Sequence, residues 1–583
     1  MKVILAGYDN INFARAVNLN MHNFDTDVLV IGGGGAGAMA AYEASKHGVT
    51  VTMVLKGVPE RCGSTIMAPG AIAGVGDWHL PGDSRDVHFR DTVKGGSFLN
   101  EQRLVRILVE ESPDLILELE RIGALWQREN DGKNYSLRID GGHSFHRCPF
   151  LEDRTGREML RTLVGELRKR NVKILSNVII LKLLNNGDKI VGAVGLDIET
   201  CESVLLRAKA IILACGGAGN LYLNTSNPTG ITGDGYALGL SAGAVVMDME
   251  FVQFYPLGFL FPHSLRGALA ALLYYVHLRN NKGERFMEKY DAERLELSTR
   301  DKVARAIYTE IKEGRSGPHG GIFADMTYHE PGFIARMQPA LYETYQKIGI
   351  DPEKDYLEVA PTCHFIMGGV KVDENWQSAV PGLFVAGETA AGMHGANRLS
   401  QNALAELLVT GARAGKASAK FSASTIRPIV DPRETLVATE LANQMLGREE
   451  GVRPIDLRKR LRQLMWEKVN VFRTESDLRS ALEELKEFES ELGKQSLNLK
   501  SRHYNQELVQ GLENYFLVTV AQCVATAALN RTESRGAHYR DDYPETDNRN
   551  WLQHLVIHGS DGEIKMEKVP VDLREIRPDE VGL

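Results

Sequence analysis

The fold is decided by the stretch Asp27-Val28-Leu29-Val30-Ile31-Gly32-Gly33-Gly34-Gly35-Ala36-Gly37, in which an apolar strand runs directly into a glycine-rich turn. Gly32, Gly34 and Gly37 supply a G-x-G-x-x-G pattern, and small residues typical of a close-packed helix follow it. Such glycines permit a sharp turn, let a phosphate approach the backbone, and let helix pack closely on strand. The helix N-terminus adds unpaired N–H groups and a positive dipole end. Because a second strand is predicted over 49–55, the stretch predicts a βαβ unit that binds a dinucleotide.

Composition limits the class of protein. The 583-residue chain has 43% hydrophobic residues, 25% charged residues and a net charge of −8, which is ordinary for a globular protein and gives no reason to expect nucleic acid. No apolar stretch is expected to reach the length of a membrane span, and residues 1–23 lack the layout of a signal peptide. The six cysteines show no haem or iron–sulfur spacing. We therefore expect the protein to reside in a reducing cytoplasm. Electrons that leave the chain one at a time must pass to another subunit.

The rest of the chain predicts an α/β fold in which a Rossmann-like domain is interrupted by an α+β insertion. An apolar run over 208–213 predicts a later parallel strand, and 383–388 predicts a strand that returns after the insertion. Amphipathic helices then predict a three-helix bundle, followed by a short β tail. The predicted segments are an N-terminal extension (1–23), the first part of the nucleotide-binding domain (24–245), a capping domain (246–365), the second part of the nucleotide-binding domain (366–428), a helical domain (429–535) and a C-terminal tail (536–583).

Several polar positions are candidates for cofactor contacts. Lys56 ends the second strand, where a dinucleotide fold usually places an acidic residue for the ribose, so a generic NAD site is disfavoured. The small-residue loop around Ser64, Thr65 and Gly70 could cross the face of a flat ring. Asp234 opens a predicted helix, and its side chain either holds a sugar hydroxyl or caps that helix; the local sequence leaves both open.

No metal site is predicted. His143, His146 and Cys148 have a possible ligand spacing, H-x-x-H-x-C. Structural zinc sites need four ligands, and no fourth ligand is evident nearby.

Five longer strings occur in one order along the chain. They are Ser298-Thr299-Arg300-Asp301-Lys302-Val303, Thr362-Cys363-His364-Phe365-Ile366-Met367-Gly368-Gly369, His394-Gly395-Ala396-Asn397-Arg398-Leu399, Arg535-Gly536-Ala537-His538-Tyr539-Arg540-Asp541-Asp542-Tyr543-Pro544 and Asn550-Trp551-Leu552-Gln553-His554. With the opening motif, they resemble the flavoprotein subunit of succinate dehydrogenase and fumarate reductase, a family that also includes L-aspartate oxidase. The resemblance extends over nearly the whole chain, from Asp25 to Val571.

The resemblance implies FAD as the cofactor and accounts for Lys56, because that family commonly has Lys at this position. Many members tether the flavin through a His in the loop after the second strand. Here Gly63 occupies that place and no His occurs from 61 to 77, so FAD is predicted to be noncovalent. The cofactor-binding residues carried over are Gly32, Gly34, Ala36, Gly37, Lys56, Ser64, Thr65, Gly70, Asp234, Glu388, Ala403 and Leu404.

The resemblance also assigns catalytic roles. Reduction of a C=C bond needs a hydride on one carbon and a proton on the other. His364 and Arg398 match the pair that holds one substrate carboxylate, a role that suits Arg because its planar fork makes two charge-assisted hydrogen bonds. Arg300 matches the proton donor of the family. Because Arg stays protonated at ordinary pH, this role requires a relay that replaces its proton at once.

The chain departs from the family where the second carboxylate is bound. The family has a Phe-His-Pro-Thr string, and here Tyr255 replaces its His; a Tyr hydroxyl carries no positive charge near neutral pH. Downstream, the family has Thr-Glu and Arg-Gly-Glu-Gly strings that supply a substrate contact and the proton relay, and the nearest match here, 262–268, has shifted spacing. His263 and Arg266 could replace that relay, or this stretch is repacked with 269–276 as ordinary core. A substrate with one carboxylate and a neutral or larger far end therefore fits at least as well as a dicarboxylate.

Three functional hypotheses follow. The first is an FAD-dependent oxidoreductase that interconverts fumarate and succinate, or a related carboxylate, and exchanges electrons with an iron–sulfur subunit. L-aspartate oxidase is the alternative enzyme. The third is a flavin electron-transfer subunit of a larger complex, in which the dicarboxylate chemistry is vestigial. In each case the expected location is cytoplasmic, with any membrane contact made through partner subunits.

Overall fold

The computed structural model describes residues 21–139, 141–187, 189–427, 429–430, 436–560 and 563–581. The predicted N-terminal extension lies outside these ranges except for its last three residues. Those three residues begin the first strand, Met21–Ile31.

The described strands form one large sheet and three smaller ones. Their bounds are β1 Met21–Ile31, β2 Val51–Val54, β3 Leu137–Arg138, β4 Cys148–Pro149, β5 Lys173–Leu175, β6 Val178–Asn186, β7 Lys189–Asp197, β8 Ser203–Leu213, β9 Val246–Met247, β10 Val252–Phe259, β11 His277–Arg279, β12 Ile322–Asp325, β13 Leu357–Ile366, β14 Gly369–Val370, β15 Leu383–Val385, β16 Gln553–Ser560 and β17 Glu563–Pro570.

The described α-helices alternate with these strands in the first half of the chain and dominate its last third. Their bounds are α1 Gly35–Ser45, α2 Arg85–Gly95, α3 Gln102–Arg121, α4 Thr155–Lys169, α5 Asp234–Ser241, α6 Met287–Tyr290, α7 Arg300–Lys312, α8 Phe333–Met337, α9 Pro339–Lys347, α10 Asn402–Ala423, α11 Leu436–Gly447, α12 Pro454–Lys468, α13 Glu475–Leu492, α14 Gln506–Asn530 and α15 Asn548–Trp551.

The large sheet has the order β5-β2-β1-β8-β7-β6, and β15 pairs with β8. β1 is parallel to β2 on one side and to β8 on the other, which confirms the predicted later parallel strand. The register places Ile31 opposite both Val54 and Leu213, and Leu213 opposite Val385. Four parallel strands therefore end level with one another, and the crevice beyond such ends is where α/β sheets bind ligands.

The insertion builds a second sheet with the order β10-β13-β12-β11 and its own apolar core. β10 and β13 are antiparallel, and Tyr255 lies opposite Thr362 in their register. This pairing brings the altered string of β10 beside the string that contains His364.

The C-terminal third forms the predicted helical region, with α11 as an additional helix before the three expected ones. α12 and α13 both pack against α14. The predicted tail strands pair as the hairpin β16–β17, and Val556 of this hairpin also lies opposite Met247 of β9.

Helix α14 bears on the expectation that no apolar stretch reaches the length of a membrane span. Among the described residues, it is the helix whose length and composition would suffice to cross a membrane. However, 89% of its most apolar window is buried inside the protein, as is usual for a central core helix.

A buried ion network joins the C-terminal region to the segment before β10. The Nε of Arg531 donates to Glu250 Oε1 and its Nη1 donates to Glu533 Oε1, at 2.5 and 3.0 Å, and all three side chains are fully buried. Removing Arg531 would leave the buried Glu250 carboxylate without its counter-ion, whereas Glu533 would keep Arg535 at 2.8 Å.

We expect Arg531→Met to destabilise the fold by about 3–5 kcal/mol, because Glu250 loses its buried counter-ion. The measurement is the urea midpoint of unfolding. Arg574→Met is the control, since that side chain is 74% exposed and pairs only at the surface with Asp572. Equal midpoints for the wild type and Arg531→Met would contradict the expectation.

Candidate functional site

A cavity of about 750 Å³ opens at the level ends of the parallel strands. Residues that come shortly after the ends of these strands line the cavity. They are Gly32 after β1, Lys56 after β2, Cys215 after β8 and Glu388 after β15. The remaining walls come from the second sheet, β10-β13-β12-β11, which we call the capping sheet, from the loop before α10 and from the C-terminal helices.

The glycine turn has the geometry that a pyrophosphate site requires. Gly32 has φ +115°, and a Cβ there would lie 2.1 Å from the carbonyl oxygen of Ala214. A Cβ on Gly37 would lie 2.0 Å from the carbonyl oxygen of Gly32, so the first turn of α1 also excludes a side chain. Helix α1 thus begins at the cavity with its positive end toward the site of the ligand.

The loop after β2 lies over this turn. Thr65 Oγ1 accepts a hydrogen bond of 2.9 Å from the backbone N–H of Gly35, at the start of α1. Ser64 lines the cavity, and its buried Oγ has no hydrogen-bond partner within the described ranges. A buried hydroxyl in this state is suited to a polar ligand group. The turn and loop therefore fit a bound dinucleotide.

Lys56 lies in an ion cluster at one end of the cavity. Its Nζ is 2.8 Å from Asp234 Oδ2 and 2.7 Å from Glu513 Oε1, and Arg458 binds the same Glu513 at 2.9 Å. Burial opposes the charge on Lys56, but the attraction of Asp234 and Glu513 outweighs it and raises the pKa of Lys56 above its ordinary value. Gly233, not Asp234, occupies the N-cap of α5, and no side chain caps this helix. The Asp234 carboxylate instead pairs with Lys56 in this cluster.

Glu388 is buried beside the cavity and is protonated near neutral pH. Burial raises the pKa of Glu388 to about 8, although the backbone N–H of Ile366 donates to its Oε1 at 2.9 Å. The charge of Glu406 raises it further. A protonated carboxyl is able to donate a hydrogen bond, for example to a ligand hydroxyl.

Two arginines converge on one buried amide. Gln253 Oε1 accepts from Arg398 Nη2 at 3.0 Å and is 3.4 Å from Arg300 Nη1. The Gln253 amide group donates in turn to Asn397 Oδ1 and to the backbone oxygen of Arg398. Arg300 Nη2 donates to Ser400 Oγ at 2.7 Å. Both guanidinium groups line the cavity, which gives it a permanently cationic corner.

His364 stands beside these arginines as a neutral imidazole. Burial lowers the pKa of His364 well below its usual value, and the positive charges of Arg300 and Arg398 lower it further. Its Nδ1 is 2.8 Å from Ser226 Oγ. The side chain is thus able to hydrogen-bond a substrate carboxylate, while the arginines supply the charge.

The structure brings Tyr255 into the cavity lining but not His263. The Tyr255 ring lies 5.4 Å from that of His364 and 4.9 Å from the Arg300 guanidinium carbon. His263 is exposed on a short 3₁₀ turn, and exposed Arg266 binds Asn224 at 2.7 Å. These two residues have no geometric support as a proton relay, whereas 270–271, 273 and 276 enter the capping core. The relay through His263 and Arg266 stays a prediction, while Leu269 and Leu272 of the same stretch line the cavity.

The remaining cofactor candidates also meet at the cavity. Ala36, Gly70, Ala403 and Leu404 line it, as do all the other cofactor candidates except Gly37, which lies behind the turn. Within the described ranges, no group of three His, Cys, Asp or Glu side chains is placed to hold a metal ion. His143 instead bonds the backbone oxygen of Ser400.

Sequence reasoning missed four residues of the site: Gln253, Ser400, Arg458 and Glu513. Gln253 carries a local signal, because it lies two residues before Tyr255 on the same strand and so shares its face. Ser400 directly follows the string that ends at Leu399, whereas Arg458 and Glu513 reach the site through tertiary contacts and have no motif of their own.

Comparison with known proteins agrees with this geometry. Residues 27–404 match the FAD binding domain family, and residues 458–582 match the fumarate reductase flavoprotein C-terminal family. The chain belongs to the fumarate reductase and succinate dehydrogenase flavoprotein family. FAD is therefore its cofactor, and this flavoprotein is an oxidoreductase.

Individual relatives of the flavoprotein are similar over nearly their full length. One subunit of the fumarate reductase (CoM/CoB) of Methanothermobacter marburgensis is 40% identical over 92% of this chain and 97% of its own. The solved Escherichia coli quinol fumarate reductase has a TM-score of 0.90 at 30% identity, covering 96% of this chain and 98% of its own. Mycobacterium smegmatis Sdh1 in complex with UQ1 has a TM-score of 0.86 at 38% identity, covering 96% of each chain. These relatives do not favour the alternative of L-aspartate oxidase.

We expect the stability of the flavoprotein to fall as pH rises from about 4.5 to about 8 through Glu388. Across this pH range the native state keeps the Glu388 proton that the unfolded chain has already lost. The free energy of unfolding therefore falls as the pH rises. Glu388→Gln should remove up to roughly 5 kcal/mol of this pH dependence. The measurement is the difference in urea midpoint between wild type and variant at pH 5 and pH 8. Parallel pH profiles would show that Glu388 is ionised at neutral pH.

Proposed function

We propose that this protein interconverts a C=C bond and a CH–CH bond next to a carboxylate, as in fumarate and succinate or a related carboxylate. The observation that carries the proposal is that Arg300 and Arg398, which both hydrogen-bond the buried Gln253 side chain, line the cofactor cavity together. Two cations with neutral His364 beside them form a carboxylate clamp at the place where a flavin would meet its substrate.

FAD is proposed to be held noncovalently. Its pyrophosphate would lie against the turn at Gly32 and Gly34, and its sugar hydroxyls near Lys56, Asp234 and protonated Glu388. Gly63, with φ +84°, occupies the position of the tethering residue. Because glycine has no side chain, it offers no nucleophile for a covalent bond to the flavin. When bound, FAD supplies or accepts the hydride at one carbon of the substrate.

The residues of the chain perform the rest of the reaction. Arg398 and His364 bind the substrate carboxylate and hold the reacting bond in a fixed orientation. Arg300 gives a proton to the second carbon during reduction and takes it back during oxidation. Ser400 and Gln253 hold the Arg300 guanidinium from two sides, which limits its motion during this transfer.

Electrons are proposed to pass to or from an iron–sulfur subunit. The relative from Methanothermobacter marburgensis is named as one subunit of its enzyme, which supports an assembly of several chains. The cysteine spacing of this chain is not that of a cluster-binding protein. We infer a cytoplasmic flavoprotein that contacts a membrane only through partners.

The decisive assay compares two reactions of the purified complex. Fumarate reduction with reduced viologen should proceed, and L-aspartate oxidation with oxygen should not. The reverse result would favour L-aspartate oxidase. If neither reaction occurs and no carboxylate perturbs the flavin spectrum, the electron-transfer hypothesis replaces this proposal.

The flavin should leave the polypeptide on denaturation. After acid precipitation of the purified protein, we expect all flavin absorbance in the supernatant and none on the pellet, because no covalent bond holds it. Yellow colour that remains on the washed polypeptide would contradict a noncovalent cofactor.

The two arginines should have separable effects. Arg300→Gln should lower kcat by about 10²–10⁴-fold with little change in substrate affinity, because it removes the proton donor. Arg398→Gln should mainly weaken carboxylate binding, seen as a higher Kd in a flavin-spectrum titration. Arg336→Gln is the control, since this exposed arginine of the capping domain pairs with Glu330 at the surface. Unchanged turnover in both site variants would show that the carboxylate chemistry is vestigial.

A further inference from the structure

We propose that His143 is a positioning residue for Arg300, the proton donor of the proposed reaction. This inference rests on the proposed function and identifies the part of the chain that keeps the proton donor in place. His143 does not line the cavity. It acts through the backbone of Ser400, whose side chain holds the Arg300 guanidinium.

The Arg300 guanidinium has a short hydrogen bond to Ser400. Its Nη2 donates to Ser400 Oγ at 2.7 Å, whereas its Nη1 is 3.4 Å from Gln253 Oε1. The bond to Ser400 is the shorter of these two, so it constrains the guanidinium more tightly. A misplacement of about 1 Å at a reacting group can cost about 10²-fold in rate. The position of Ser400 therefore matters for proton transfer.

Ser400 lies in a loop whose backbone conformation is strained. The next residue, Gln401, has φ +65°, in the left-handed region that residues other than glycine rarely adopt. Such a conformation persists only where the surrounding structure holds it. The Ser400 carbonyl belongs to the peptide group that leads into Gln401. A hydrogen bond to this oxygen therefore fixes the backbone at both residues.

His143 supplies that hydrogen bond from a buried position. Its Nε2 lies 2.6 Å from the backbone oxygen of Ser400, and the residue is 8% exposed. Because a carbonyl oxygen only accepts, Nε2 carries a proton and donates it. On the other side of the ring, Nδ1 is 3.2 Å from Arg147 Nη1. A guanidinium only donates, so Nδ1 accepts, and the two contacts select the neutral tautomer that is protonated at Nε2.

Arg147 is held in turn by two carboxylates. Its Nε and Nη2 donate to Asp83 at 3.1 and 2.8 Å, and its Nη1 donates to Asp91 at 2.7 Å. The side chains of Arg147 and Asp83 are fully buried. A guanidinium bound in this way has little freedom to move. It therefore presents Nη1 to His143 from a fixed direction.

These contacts form a continuous series that ends at the proton donor. Arg147 orients His143, and His143 fixes the Ser400 backbone. Ser400 then holds Arg300. The series holds Arg300 and not the substrate, whose carboxylate is assigned to Arg398. Loss of the His143 hydrogen bond should therefore slow proton transfer and leave substrate binding unchanged.

The first test compares His143→Gln with His143→Asn in the purified complex. The Gln amide N–H reaches about as far from the backbone as Nε2 of His and still donates to Ser400, whereas the shorter Asn amide does not. We expect His143→Asn to lower kcat for fumarate reduction by about 10- to 100-fold, and His143→Gln to lower it by less than about threefold. The Kd of fumarate from flavin-spectrum titration should stay within about threefold of wild type in both variants. Equal kcat values for the two variants would overturn the inference.

A double-mutant cycle shows whether His143 acts through Ser400. Ser400→Ala removes the hydroxyl that holds Arg300, so in that background His143 has no route to the guanidinium. We expect His143→Asn to change kcat by less than about threefold in the Ser400→Ala background, against about tenfold or more in the wild type. An equal factor in both backgrounds would show that His143 acts independently of Ser400 and would contradict the inference.

His146→Asn is the matched control, because His146 lies on the same loop with its side chain exposed to solvent. Its kcat should stay within about twofold of wild type. Each kcat is expressed per bound flavin, so a loss of folded protein does not alter it. A His143→Asn chain that binds no flavin would show a structural role and count against the inference. If Arg300→Gln keeps full turnover, the proposed function fails and the inference with it, whereas a slow Arg300→Gln beside a fast His143→Asn refutes the inference alone.

Discussion

The level ending of four parallel strands is the constraint on which the rest of the structure depends. Ile31, Val54, Leu213 and Val385 stand side by side in the register, so the residues after them emerge along one line. A turn of glycines, a lysine, a cysteine and a glutamate are thereby delivered to a single crevice from distant parts of the chain. A shift of one residue in any pairing would turn that strand's side chains to the opposite face of the sheet.

The crevice is completed by parts that belong to other layers. The capping sheet contributes Tyr255 and His364 on paired strands, and helix α7 starts with Arg300. Burial decides the protonation of the site: it keeps His364 neutral, with a further contribution from the arginines, and it keeps Glu388 protonated. One cavity thus combines permanent cations, a neutral imidazole and a neutral carboxyl near pH 7.

Much of the fold and of the site could be predicted from the sequence, and the residues that could not be predicted have physical reasons for it. The βαβ unit, the parallel strand β8 and the tail hairpin follow local patterns, so they were predictable. Arg300, His364 and Arg398 occur in long strings and could be placed together by resemblance. Glu513 could not, because it enters the site through a contact across the fold that leaves no periodic pattern in the sequence. His263 stays a prediction from residue type alone, because it is exposed on a 3₁₀ turn and does not line the cavity.

The contact of Lys56 with Glu513 has a consequence for biosynthesis. Lys56 lies at the end of the first βαβ unit, whereas Glu513 lies on a helix near the opposite end of the chain. Lys56 therefore acquires its second carboxylate only after the last long helix has been translated and has docked. A chain that ends before this helix would carry a lysine with only the Asp234 carboxylate to neutralise it.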